Sequence, residues 1–214
     1  MKDQSKFFTY FIVLLSIVVI GVGGFFAYGA YVDMAKSDTL QVNTNEDYPL
    51  RKNATDYQKT IHAELKAALK EEPQDKVKIA ELVSKNYIAD YYTWSNKIRF
   101  NDVGGLGYVS KDIRSWVYAK SLDTFYNDVR YYLDTEEIEK TLEVEMIDTS
   151  TETTSIMMDE KEVVAYSVDA SWKYKSGSIL DTDEFQSHAF ITVVENEQGL
   201  ISVVEVNINE ENEE

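Results

Sequence analysis

The chain has 214 residues, a formal net charge of −17 at pH 7 and no cysteine. A surface this acidic is repelled by nucleic acid and by anionic lipid headgroups, so direct nucleic-acid binding is not expected. Without cysteine there is no disulfide framework, no thiolate metal site, no cysteine nucleophile and no thiol to carry a lipid.

From Phe7 to Val32 no side chain is charged, and Phe7, Phe8, Phe11, Leu14, Leu15, Ile17, Val18, Val19, Ile20, Phe25 and Phe26 make most of the stretch apolar. At about 1.5 Å per residue, a helix over 7–32 runs roughly 39 Å. The hydrocarbon core of a bilayer is about 30 Å thick. The sequence therefore predicts a cytoplasmic tail over 1–6 and a transmembrane helix over 7–32 in contact with the lipid bilayer. A cleaved signal peptide, cut after Ala27-Tyr28-Gly29, is the competing reading. The run is longer than the roughly 7–15 residue apolar core of such peptides, which favours an anchor. Lys2 and Lys6 lie before the span, and only Lys36 stands among Asp33 and Asp38 after it. The positive-inside rule then gives a single-pass cell-membrane protein, N-terminus cytoplasmic and head extracytoplasmic.

Residues 33–54 are polar and turn-rich (Asn43, Asn45, Asp47, Pro49, Asn53) and read as a linker. A domain is expected over 55–209, followed by an acidic tail over 210–214. Its first half is helical in period. Tyr57, Ile61, Leu65, Ala68 and Leu69 share one helix face after a Thr55 cap, and Pro73 stops that helix. A second helix runs from an Asp75 cap to about Trp94. The loop Gly104-Gly105-Leu106-Gly107 follows, read as a flexible turn because it lacks the Lys-Ser/Thr of a phosphate loop. Apolar spacing predicts helix from about Lys111 to Leu133, as one piece or as two joined near Ser121, and an acidic turn over 135–140. The second half changes period. Thr141–Met146, Val163–Tyr174, His188–Glu195 and Leu200–Asn209 read as strands, with 148–154 and 175–183 as polar connections and 197–199 as a hairpin turn. Helices placed before antiparallel strands make an α+β domain with one sheet face buried and the other wetter.

This order, with the segment Ala80-Glu81-Leu82-Val83-Ser84-Lys85-Asn86-Tyr87-Ile88-Ala89-Asp90-Tyr91-Tyr92 and the aromatic stretch from Trp116 to Tyr132, resembles the membrane-anchored NTF2-like proteins. In particular it is similar to the bitopic channel-scaffold subunit of type IV secretion and conjugation systems of Gram-positive bacteria. The resemblance implies about three helices on a curved four-stranded antiparallel sheet. It implies a non-enzymatic assembly subunit of the cell envelope that contacts itself and other membrane or channel subunits and needs no cofactor.

The alternative is an NTF2-like enzyme or small-ligand-binding head that uses the cone cavity of the fold. Asp169 is the acid such a cavity would use, flanked by Ser167 and Ser171. His62, among Lys59, Glu64 and Lys66, reads as solvated, and His188 as a strand-edge residue. No acidic run matches a calcium loop. Aromatic side chains crowd into 87–132, and adjacent pairs on a helix cannot both face one core. Tyr91, Tyr92, Trp94, Trp116, Tyr131 and Tyr132 are therefore the candidate interface residues, since Tyr and Trp are enriched where proteins meet.

Overall fold

Helix α1 (Asp56–Ala68) begins where Thr55 caps it: the Thr55 hydroxyl accepts from the Gln58 N–H, and the Gln58 side chain accepts from the Thr55 N–H. This reciprocal capping box satisfies backbone donors that the first helical turn leaves unpaired. In the computed structural model the described residues are 47–208, apart from 159 and 197. The expected cytoplasmic tail, transmembrane helix, linker residues 33–46 and acidic tail lie outside them. Among the described residues no helix is long and apolar enough to cross a membrane.

Helix α2 (Lys76–Tyr91) starts at Asp75, whose carboxylate accepts from the Lys78 N–H at 3.1 Å. Its buried residues, among them Ile79, Val83, Tyr87, Ile88 and Tyr91, cover most of the helix circumference, and Val77, Lys78, Glu81 and Lys85 line the remaining strip. That is the pattern of a helix enclosed on both sides. Helix α1 covers one side of it, and all four strands meet the other. Helices α3 (Lys111–Asp123) and α4 (Val129–Asp134) replace the expected run from Lys111 to Leu133, with the break at 124–128. The expected acidic turn is a 3-10 turn at Ile138–Lys140.

The strands β1 (Val144–Met158), β2 (Lys161–Tyr174), β3 (His188–Glu195) and β4 (Ile201–Asn207) form one antiparallel sheet in the order of the sequence. The fold is therefore α+β. In β2 the face Tyr166, Val168, Ala170 and Trp172 is buried against the helices, and Asp169, Ser171 and Lys173 face solvent. The alternation expected of this strand holds except at Val164, which is 58 % exposed.

Two expectations are corrected. The stretch 148–154, read as a polar connection, is the middle of the longest strand. Thr149, Thr151, Thr153 and Ser155 all sit on the face that Ile147 begins, and their polarity hid a β-branched strand at the sheet edge. The linker also ends earlier than 54. Tyr48 is 2 % exposed, its hydroxyl donates to the Ile201 carbonyl at 2.8 Å, and its ring stacks on Tyr108. Residues 47–54 belong to the domain.

Leu65 is fully buried between α1 and α2. Leu65→Ala is expected to lower unfolding stability by about 2–5 kcal/mol, while Val77→Ala on the exposed side of α2 changes it by less than about 0.5 kcal/mol. Urea unfolding of the two variants checks this.

Candidate functional site

The alternative reading calls for an open cavity between the helices and the sheet, and the space concerned is the one between α2, α3, α4 and the buried face of the sheet. Aromatic side chains occupy it. Tyr91 stacks on Phe125 at 5.5 Å and meets Tyr92 edge-on at 4.9 Å. Tyr92 leans on Trp172 at 4.4 Å, and Trp94 contacts Phe125 and Phe185 at 5.0 and 5.7 Å. These separations match offset and edge-to-face ring pairs, each worth about 0.5–1.5 kcal/mol beyond the area buried. The Tyr91 hydroxyl lies 2.9 Å from Ser121 Oγ, and that Oγ donates to the Val117 carbonyl. The Tyr91–Ser121 bond ties helix α3 to the core.

Tyr91, Tyr92 and Trp94 are thus core residues, at 9 %, 3 % and 2 % exposure, rather than interface residues. Both members of the Tyr91–Tyr92 pair are buried because the cluster wraps around the C-terminal end of α2. Tyr132 is half-buried against Trp94. Trp116 and Tyr131 stay exposed, at 67 % and 61 %. Phe100 and Ile98 are also exposed, and the Arg130 guanidinium lies 3.9 Å from the Phe100 ring centroid. Asp169 does not line the cone. It stands on the outer sheet face, where its carboxylate lies 2.7 Å from His188 Nε2, and both side chains are substantially exposed. His62, read as solvated, is half-buried with Nε2 2.9 Å from the Tyr48 carbonyl.

Among the described residues the one strongly perturbed acid is elsewhere. Asp90, near the end of α2, accepts from the Gly105 N–H at 2.7 Å and pairs with Arg51 Nε at 3.1 Å and Lys97 Nζ at 3.3 Å. Arg51 also reaches Asp102 at 2.6 Å and the Asn96 carbonyl at 3.0 Å. Lys97 is fully enclosed, and its ammonium donates to the Asp90 carbonyl at 2.7 Å. Two cations face two carboxylates, so the network is neutral. Burial alone would raise the Asp90 carboxyl, but the charges of Lys97 and Arg51 and the Gly105 N–H outweigh it and hold it at about 2. Burial first, then the neighbouring Arg51 charge, lowers Lys97 to about 8, against the pull of Asp90 and Asp102. The space beside Asp90 is about 10 Å³, room for one water. The network is a staple and has no room for a substrate.

The glycine loop is part of that staple and not a flexible turn. A Cβ on Gly104 would overlap the Asp90 carbonyl oxygen, and Gly105 holds φ +75° against the Tyr87 ring. Gly104 N–H donates to the Tyr126 hydroxyl at 3.0 Å, and that hydroxyl donates to the Tyr91 carbonyl at 2.5 Å. Arg51, Asp90, Lys97 and Asp102 carried no sequence signal, because nothing in their spacing marks them as partners across 47–108.

A second space, a groove of about 410 Å³, opens between the start of α3, the tip of the β1–β2 hairpin and the β3–β4 turn. Val163, Val194 and Leu200 meet Lys111, Arg114 and Lys161 there. Among the described residues no cluster of His, Asp or Glu is able to hold a metal ion. Comparison with protein-family models, with curated proteins and with solved structures gives no match.

Removing one partner of a buried pair leaves a charge uncompensated. Asp90→Asn is expected to cost about 3–5 kcal/mol in urea unfolding. The depressed Asp90 carboxyl contributes stability above the ordinary aspartate range that is lost as pH falls toward 2. The depressed Lys97 gives a slope of the same sign at higher pH: between pH 8 and about 10 the unfolded state binds more protons, so stability rises with pH as the buried ammonium is neutralised. Lys97→Met should abolish that rise in a pH series of unfolding midpoints. Above about pH 10 the buried tyrosines, whose hydroxyls are raised by burial, reverse the slope.

Proposed function

We propose that this chain is a membrane-anchored, non-enzymatic scaffold subunit with an NTF2-like extracytoplasmic head. It acts by contacts with itself and with other membrane subunits of a type IV secretion or conjugation channel, as the resemblance in the sequence implies. The observation that carries this reading is the filled cone: Tyr91, Tyr92, Trp94, Phe125 and Trp172 occupy the space a ligand or substrate would need. An NTF2-like enzyme needs that space open and an acid within it. Here the perturbed acid, Asp90, is locked in a neutral ion network with room for one water. Further support comes from Trp116 and Tyr131, large aromatic side chains left in solvent on helices that border the core. The apolar run 7–32 supplies the anchor in this reading, and anchoring raises the effective concentration of heads beside one another.

The test is crosslinking of the full-length chain in its native membrane, followed by mass spectrometry of what is captured. Recovery of a second copy together with a secretion ATPase, a polytopic channel subunit or a cell-wall hydrolase supports the scaffold. Recovery of no membrane partner overturns it in favour of a ligand-binding head. The double variant Trp116→Ala/Tyr131→Ala is expected to keep head stability within about 0.5 kcal/mol while reducing the captured partners.

A further inference from the structure

The two edges of the sheet are treated differently. The β4 edge is covered at one end, where Val109 bridges Val203 and the Ser110 N–H donates to the Val203 carbonyl at 2.9 Å. The β1 edge has no such cover past Ile147. The hydrogen-bond phase of β1 shows which residues are affected. Ile147 lies opposite Trp172, yet the Ile147 N–H goes to the Tyr57 hydroxyl and the Trp172 N–H goes to the Ser187 carbonyl. Ile147 and Trp172 are therefore a non-hydrogen-bonded pair, and the pattern alternates from there. Thr149, Thr151, Thr153, Ser155 and Met157 all direct their backbone N–H and C=O groups away from β2. Among the described residues none of these outward backbone groups has a backbone partner beyond the strand.

Natural sheet edges are usually blunted by lysine, proline, a bulge or a very short strand. The run from Val144 to Met158 has no Lys, Arg or Pro, and its only register shift lies at 144–146, before the bare stretch. The hairpin tip also exposes Met157 by 67 % and Val164 by 58 %, on a ribbon that outruns β3, whose pairing with β2 ends at Ala165. A two-stranded ribbon is marginal in water by itself.

We infer that the free edge of β1 is a strand-addition surface for a second copy of this chain, joining the two sheets antiparallel about a two-fold axis at Thr153. The register follows from the phase. Outward-facing residues must meet outward-facing residues, so odd positions pair only with odd positions. Only the register centred on Thr153 uses all five bare residues of both strands: Thr153 meets Thr153, Thr151 meets Ser155, and Thr149 meets Met157. Hydroxyl residues opposite one another are favourable cross-strand pairs. Thr151 Oγ1, buried without a partner in one copy, then lies beside Ser155 of the other.

Charge selects a second copy in this register despite the acidic surface. Glu152, the only charged residue from Thr149 to Met158, falls opposite Thr154, and the two Glu152 side chains stand on the diagonal across the axis rather than face to face. Asp148 of one copy falls opposite Met158 of the other, in the row that Met158 shares with Lys161. Two strand spacings, roughly 9.6 Å, separate those backbones. Extended Lys and Asp side chains close that gap, and neither has an ion pair of its own among the described residues. The two-fold axis makes the pair twice.

This inference names the surface of self-contact within the scaffold reading, on which it rests for its setting. Because the chain has no cysteine, single cysteines report cleanly. In the full-length chain in its membrane, Thr153→Cys is expected to give a disulfide-linked dimer on mild oxidation. Facing residues of a hydrogen-bonded pair lie about 5.5 Å apart at Cα, inside the usual disulfide range of about 4.4–6.8 Å. Ser155→Cys alone should stay monomeric, because the two copies of that residue are offset by roughly 14 Å along the strands. Thr151→Cys mixed with Ser155→Cys should give the heterodimer. Thr153→Pro removes an outward N–H that β2 does not use, so the head should fold while the 151–155 crosslink drops roughly tenfold. A monomeric Thr153→Cys, or Ser155→Cys crosslinking as readily as Thr153→Cys, overturns the inference. If membrane partners are still captured in that case, the scaffold reading stands without it.

Discussion

Two irregular segments of the head, residues 47–53 and 95–108, are organised by one carboxylate. Asp90 sits near the end of α2, the helix enclosed by α1 and the sheet, where an unpaired charge would be costly. Its compensation comes from three separate segments: Arg51 from the stretch before α1, Lys97 from the loop after α2, and the Gly105 N–H from the glycine loop. Each partner fixes the segment that carries it. The loop glycines follow from this constraint, since Gly104 leaves no space for a side chain between the Asp90 carbonyl and the Lys97 ammonium. A buried neutral network of this kind adds less stability than apolar packing of the same volume. What it supplies is a single arrangement for residues 47–53 and 95–108, beside the apolar anchors Tyr48, Val103, Leu106 and Tyr108.

The aromatic cluster solves a different problem. A sheet with helices packed across one face encloses a space, and something must fill it. Tyr and Trp fill a wide space with few rotatable bonds, and their polar ends reach the backbone, as Tyr126 does at Gly104 and Tyr91. The price is paid at Trp94 and Trp172, whose ring N–H groups are buried without a partner among the described residues. A core filled this way is compatible with a head that presents its outer surface to partners, and it is a poor starting point for chemistry.

The α+β order, the caps at Thr55 and Asp75, and the strands at 163–174 and 188–195 were legible in the sequence because each has a strong local cause. Capping residues and a period of 2 or 3.6 act within a few positions of one another. The misreadings have a shared cause as well. The middle of β1 reads as a polar connection because its residues are Thr, Ser and Glu, and periodicity in hydrophobicity cannot register a strand whose two faces are both polar. Tyr91 and Tyr92 were divided between core and surface by helical geometry, which ignores that the sheet and α4 close around the helix end from both sides. The staple was invisible because Arg51, Asp90, Lys97 and Asp102 meet only through the tertiary fold.

The same polarity that hid β1 bears on what its edge is for. An apolar bare edge of this length would aggregate without selection of partner or register. A hydroxyl-rich edge with one carboxylate near its centre disfavours the register that sets the two copies of that carboxylate face to face, and a two-fold pairing closes on itself instead of stacking open-endedly. A closed pair also removes the edge: each β1 satisfies the other, and the outer strand of the joined sheet on either side becomes β4, which Val109 and Ser110 already cover at one end. The fold thus leaves one edge bare and blunts the other. That asymmetry is what a head limited to dimers requires, and it would serve no purpose in a head that remains alone.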